Sequence, residues 1–330
     1  MSGYSPAWWL PGPHSQTLWG KLFRQQELQP TEIERWDTPD GDFLDIHRLN
    51  TRGATTRLLV LHGLEGTIRS HYAQGLLSEA RNRGWAADML IFRSCGKDMN
   101  LTRRFYHSGD TSDLELVIGR LLAESPNQTL LLAGVSLGGN VLLKFLGEHA
   151  ARLSPRIKAA AAVSVPFDLS RSSQFINRGF SKVYQKHFMK SLRRKALLKL
   201  AQFPELIQVQ KLMSLRTMYE FDNALTAPLH GFRDAEDYYT QSSSLPWLPR
   251  ISLPTLLLSA VDDPFLPAEV LDDVRGAARE NPALTLEFPT RGGHAGFIGG
   301  RNPLRPVYYM EQRVCDFLAE QITQTIALAG

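Results

Sequence analysis

Gly134-Val135-Ser136-Leu137-Gly138 sets one serine between two glycines. A serine hydroxyl becomes a nucleophile only when a base takes its proton and donors hold the oxyanion it creates. The string is short, so its setting decides its meaning. It follows the apolar run Thr129 to Val135 and opens a helical run, Val141 to Leu146. A strand, a sharp turn and a helix make a nucleophile elbow, in which strained backbone lifts the serine above the sheet at a helix N-terminus. The flanking glycines permit close packing of strand on helix, and Gly139 and Asn140 extend the tolerant stretch. The plain alternative is a serine N-cap in an ordinary βα turn.

The rest of the chain supplies the other parts in order. His62-Gly63-Leu64-Glu65-Gly66 follows the apolar run Arg57 to Leu61. The backbone N–H groups of Leu64 and Leu137 are the expected oxyanion hole, and no side chain is required at either position. His62 is expected to brace its loop. Glu65 would repel developing negative charge, so it is expected to point away or to pair with a base such as Arg69. Of nine histidines, only His294 lies beyond the last strand-like run, in Gly292-Gly293-His294-Ala295-Gly296-Phe297. It is the candidate base. Two aspartates, Asp262 and Asp263, follow the run Pro254 to Ala260 and compete as the acid that orients the histidine. The spacing Ala260-x-x-Asp263 closing on Pro267 favours Asp263, with Asp262 capping or bracing the turn. The acid stabilises the imidazolium and need not take the proton. Ser136 to Asp263 spans 127 residues and Asp263 to His294 spans 31, enough for the intervening elements.

Other chemistries find no motif. There is no Walker A string, no G-x-G-x-x-G after the first strand, no H-E-x-x-H and no paired C-x-x-C. No cofactor and no metal are therefore expected. The net charge of +4 on 330 residues is too mild to argue for nucleic acid. Cys95 and Cys315 cannot make a disulfide framework and fit a reducing compartment. No signal peptide opens the sequence and no run reaches the length of a membrane span, so the expected location is cytoplasmic.

The elements that must position these residues follow an alternating pattern. Short apolar runs, Arg57 to His62, Trp85 to Phe92, Thr129 to Val135, Ile157 to Val165, Pro254 to Ala260 and Ala283 to Phe288, read as buried strands. Helices are expected near 70–83, 112–124, 137–149, 268–279 and 306–325. Glu32 to Trp36 and Phe43 to Arg48 read as a hairpin about Pro39-Asp40-Gly41. The pattern is a mostly parallel, eight-stranded α/β sheet flanked by helices. It breaks at 166–250, which carries no convincing strand and reads as a helical cap or lid on a core of 1–165 and 251–330. Residues 171–216 hold eleven Lys or Arg and one acid, Glu205, a local +10 that leaves −6 for the remainder. Ser181 to Ala201 reads as an amphipathic helix with Tyr184, Phe188 and Leu192 on one side and its basic residues elsewhere. The plain reading is a solvated face. The sharper one is a peripheral contact with anionic membrane at its inner face.

With these residues in place, the chain resembles the α/β-hydrolases, and more narrowly the YheT-like esterases of the AB hydrolase 4 family. The resemblance spans nearly the whole chain. It rests on His14-Ser15-Gln16-Thr17, Pro39-Asp40-Gly41-Asp42-Phe43-Leu44-Asp45, His62-Gly63-Leu64-Glu65-Gly66 and Tyr106-His107-Ser108-Gly109. It continues through Ser136-Leu137-Gly138-Gly139-Asn140, Asp262-Asp263-Pro264-Phe265 and Gly292-Gly293-His294-Ala295-Gly296-Phe297-Ile298-Gly299-Gly300. It implies a triad of Ser136, Asp263 and His294 and hydrolysis of acyl or lipid esters. Acyl transfer or thioester cleavage on the same triad is the alternative, and a non-catalytic binding protein on this scaffold is the reading from another class. One departure stands out: the family commonly has Arg-Gly-Cys where this chain has Arg93-Ser94-Cys95.

Overall fold

The computed structural model describes residues 3–329, with side chains described as far as Thr323. Eight strands form one sheet in the order β1-β2-β4-β3-β5-β6-β7-β8. They are β1 (Glu32–Asp37), β2 (Phe43–Leu49), β3 (Thr56–Leu61), β4 (Ala86–Ile91), β5 (Thr129–Val135), β6 (Ile157–Val163), β7 (Thr255–Leu258) and β8 (Leu284–Glu287). β2 runs antiparallel to both β1 and β4, and every pairing from β4 to β8 is parallel. The expected strands and hairpin are all present, displaced at their ends by one or two residues. β3 and β4 are buried along their whole lengths, as continuous apolar runs in a parallel sheet must be when both faces are covered.

Helices flank the sheet. α1 (Pro13–Phe23) precedes it, an element the sequence reading left out. α2 (His71–Asn82), α3 (Ser112–Glu124) and α4 (Leu137–Glu148) alternate with the strands. α3 buries Leu114, Val117, Ile118 and Leu121, a stripe at helical spacing. α4 is buried almost all round, which fits its position next to β5 and β6.

Between β6 and β7 the described chain carries no strand. It forms α5 (Leu169–Phe175), α6 (Lys182–Leu200), α7 (Val209–Ser214), α8 (Met218–Phe221), a π-helix over Asp222–Thr226, α9 (Ala227–Leu229) and α10 (Ala235–Ser242). α11 (Glu269–Ala278) and α12 (Tyr309–Ala329) follow β7 and the β9–β10 pair (Ile298–Gly299, Val307–Tyr308). The helical segment has small cores of its own, one built on Met189, Ala196, Leu212 and Phe221.

α6 falls where the amphipathic pattern placed it, but two of its cations do not face water. Lys199 is fully buried and donates to Asn100 O, Asn100 Oδ1 and Thr102 O at 2.7–2.8 Å. Lys195 turns inward as well. Three carbonyl-type acceptors replace the water that an ammonium otherwise needs, so the solvated-face expectation fails at these positions. The exposed face of α6 keeps Lys182, Lys186, Lys190 and Arg194, interleaved with Val183, Leu197 and Leu198.

Candidate active site

Ser136 stands between the end of β5 and the start of α4, at φ 56° and ψ −121°. A non-glycine residue in that region is strained, and strain of this kind persists only where the surroundings impose it. The surroundings are glycines that admit no side chain. A Cβ on Gly134 would come within 2.5 Å of the Gly138 carbonyl oxygen, and one on Gly138 within 2.5 Å of the His62 carbonyl oxygen. The spacing of the glycines is therefore the contact geometry of strand on helix.

His294 lies on the loop after β8. Its Nδ1 is 2.9 Å and 3.1 Å from the two carboxylate oxygens of Asp263. A carboxylate only accepts, so Nδ1 carries the proton and Nε2 is left as the basic nitrogen. Asp263 is 2% exposed and also accepts from the Phe265 N–H at 2.8 Å, which fixes its orientation. Asp262 accepts from the Gly292 and Gly293 N–H groups at 2.9 Å each, so it braces the histidine loop. The two adjacent carboxylates thus hold the ring and its backbone separately.

Ser136, His294, Leu64 and Leu137 line one cavity, and Asp263 sits behind His294. Among the described residues no hydrogen bond joins Ser136 Oγ to His294, and the N–H groups of Leu64 and Leu137 donate to no internal acceptor. An amide at the first helical position has no partner within its helix, so the Leu137 N–H is free to serve a ligand. His62 is fully buried and joined at both nitrogens: Nδ1 lies 2.7 Å from Gly63 O, and Nε2 accepts the Phe92 N–H at 3.1 Å. Burial holds this ring down at about 4, so it is a neutral brace.

Glu65 pairs with a base, as one of the two expectations had it, but the base is Lys195 of α6 at 2.6 Å and not Arg69, and the carboxylate lines the cavity. Tyr106 OH donates to the same carboxylate at 2.8 Å and accepts the Glu65 N–H at 3.0 Å, and Ser191 Oγ bonds the other oxygen. Lys195 Nζ is also 2.9 Å from Cys95 Sγ. The ammonium neutralises a carboxylate that lines the same cavity as Ser136 and the Leu64 amide. Burial pushes the Cys95 thiol up to about 11, so it is a poor nucleophile. Ser94 takes φ 62° and bonds Asn100 Oδ1 through its hydroxyl at 2.5 Å. That bond offsets part of the strain a glycine avoids.

Sequence reasoning gave no role to α1, yet α1 carries the histidine loop. Thr17 Oγ1 accepts the His294 N–H at 2.9 Å, and the Gln16 amide bonds both the C=O and the N–H of Ile298. A Cβ on Gly293 or Gly296 would strike the backbone of α1 at 2.4–2.5 Å. The signal was present in the His14-Ser15-Gln16-Thr17 string. Asn140 joins three segments: its Nδ2 donates to Ser108 O and Ser242 O and its Oδ1 accepts the Ser244 N–H.

The remaining cavity wall is mostly apolar, with Phe188 and Leu192 from α6, Leu169 from α5, Ile176 just after it, and Phe265. No cluster of His, Cys, Asp or Glu suited to a metal ion occurs among the described residues. No described helix is long and apolar enough to cross a membrane.

Comparison with known proteins follows the same outline. Residues 56–300 match the family model described as the alpha/beta hydrolase fold. The chain is 38% identical over 310 residues to "Putative esterase YheT" of Escherichia coli strain K12, covering 92% of this chain and 89% of that one. It is 31% identical to the monoacylglycerol lipase of Saccharomyces cerevisiae over 83% of this chain and 61% of the yeast protein, and 27% identical to phospholipase ABHD3 of Homo sapiens over 92% and 76%. Among solved structures, the Pyrococcus furiosus esterase Pf2001 superposes with a TM-score of 0.58 at 15% identity, covering 89% of this chain and 91% of that one, a likeness of fold.

Proposed function

The chain belongs to the α/β-hydrolase fold family, and from that premise we propose that it is a serine hydrolase that cleaves carboxylic esters, acyl or lipid, through Ser136, Asp263 and His294. The observation that carries the reading is the strained Ser136 facing the same cavity as His294, whose Nδ1 is held by a buried carboxylate. His294 Nε2 takes the proton of Ser136 Oγ as the oxygen attacks the ester carbonyl. The oxyanion is received by the N–H groups of Leu64 and Leu137. The proton then passes to the departing alkoxide, leaving an acyl-serine. Water, deprotonated by the same nitrogen, attacks that acyl group, and the carboxylic acid leaves as the proton returns to Ser136 Oγ. Asp263 stays ionised and stabilises the imidazolium.

In this reading residues 166–250 are a cap on a core of 1–165 and 251–330, and its helices supply the apolar wall that receives an acyl chain. The names of the yeast and human relatives support a lipid-like substrate. The exposed basic face of α6 is a peripheral contact for anionic membrane. Turnover of matched oxygen esters and thioesters, by the wild type and Ser136→Ala, tests the assignment. Ester cleavage abolished in the variant is the expected result. Cleavage retained by Ser136→Ala, or turnover of thioesters alone, overturns it.

A further inference from the structure

The cavity is apolar along α6, where Phe188 and Leu192 face it, but not throughout. Asp222, Thr226, His230 and Tyr239 also line it. Asp222 opens the π-helix, and single π turns occur frequently at functional sites. The turn brings Thr226 Oγ1 to Asp222 Oδ1 at 2.7 Å, and Tyr239 OH reaches Oδ2 at 2.7 Å. Both donors are neutral, and among the described residues no Lys or Arg pairs with this carboxylate. About four acceptor positions belong to a carboxylate, so two remain unused. Burial pushes the Asp222 carboxyl up to about 6.

His230 adds a second unsatisfied group. Its Nε2 is buried without a hydrogen-bond partner, and its ring centroid lies 4.5 Å from that of His107, also on the cavity wall. Leaving a buried polar atom unpaired is costly, so such atoms mark places where a partner is absent. Burial holds the His107 and His230 rings low, at about 4 and about 3, with the Arg104 guanidinium adding to the effect. Neutral rings beside a cation suit an uncharged hydroxyl better than an ammonium.

Resting on the ester-hydrolase reading, we propose that Asp222 and His230 form a hydroxyl-recognition subsite. A free hydroxyl of the substrate, away from the scissile ester, donates to the Asp222 carboxylate, and His230 Nε2 hydrogen-bonds to that hydroxyl or to its neighbour. The hydroxyl belongs either to the leaving alcohol or to the acyl chain, and the chemistry of recognition is the same for both. A simple alkyl ester leaves His230 Nε2 unpaired and the free acceptor positions of Asp222 unused, and is selected against.

The test is kcat/KM for two matched pairs, glyceryl butyrate against propyl butyrate and methyl ω-hydroxyhexanoate against methyl hexanoate. The wild type is expected to prefer the hydroxylated member of one pair by about tenfold or more, and that pair identifies where the hydroxyl resides. In Asp222→Leu and in His230→Leu the ratio falls toward one. Each ratio is taken within one preparation, so a general loss of folded protein cancels. Ratios near one in the wild type, or unchanged in both variants, overturn the proposal. Thermal shift with non-hydrolysable ethers separates it from the reading beneath it: hexyl glyceryl ether and ω-methoxyhexanol are set against hexyl methyl ether. Selective stabilisation without ester turnover keeps the subsite and overturns hydrolysis. Turnover without selectivity does the reverse.

Discussion

Replacing Lys195 by methionine removes the ammonium that joins α6 to the loop of Leu64 and Glu65 while keeping most of its stem. The side chains of Glu65 and Lys195 are 9% and 15% exposed, so water replaces little of what is lost. Taking one partner from a buried ion pair costs about 3–5 kcal/mol, because the remaining charge stays unpaired. Glu65 keeps donors in Tyr106 OH and Ser191 Oγ, which places the expected loss near the lower end, about 3 kcal/mol. Urea unfolding of Lys195→Met reads that loss directly. Glu65→Gln/Lys195→Met removes both charges, so the double variant should be more stable than the two single losses predict. A coupling of about 2 kcal/mol is expected. Leu64 precedes Glu65 in the loop, so loosening the clamp also displaces the Leu64 amide. Removing an oxyanion donor outright costs about 10²–10³ in kcat, and a displaced one should cost part of that, about tenfold or more. Additive single losses, with a coupling below about 0.5 kcal/mol, would refute the account of Glu65 as a carboxylate neutralised across the cavity.

Three further expectations follow from the same geometry. Asp263→Asn should lower kcat by about 10⁴ through the wrong imidazole tautomer, whereas Asp262→Asn, which can still accept from the loop amides, should cost less than about tenfold; equal losses contradict the assignment. Burial holds His62, His71 and His107 at about 4 and His230 at about 3, against an ordinary value near 6.5. These rings bind protons on unfolding, while Asp222, raised to about 6, releases one. At pH 5 these five groups together take up about three protons on unfolding, so stability measured by urea should fall as pH drops from 6.5 to 4, and a flat profile contradicts it. Vesicles rich in anionic lipid should bind the wild type in a salt-sensitive way and Lys182→Gln/Lys186→Gln/Lys190→Gln/Arg194→Gln weakly; salt-insensitive binding contradicts the basic face as the contact.

The strands were legible because parallel sheets bury whole apolar runs, and the elbow because its glycines are contact points between backbones. His294 and Asp263 could be read from their order along the chain and their place after strands. The Glu65–Lys195 pair could not, because 130 residues separate its members and no periodicity joins them. Lys195 and Lys199 looked like ordinary members of a basic helix, since composition does not say which cations meet buried acceptors. The His14-Ser15-Gln16-Thr17 string was visible, but its purpose was not, because Thr17 acts on His294 through the backbone and Gln16 on the same loop at Ile298. The polar wall at Asp222 and His230 lies in a segment of helices and turns whose mutual packing the local sequence does not specify.

In the proposed mechanism Ser136 is an activated nucleophile. Labelling with a fluorophosphonate probe, located by peptide mass spectrometry and run beside Ser136→Ala and His294→Ala, tests it most directly. One adduct is expected, on Ser136 Oγ, lost in both variants. An adduct on another residue, or none on folded wild-type protein, would contradict it.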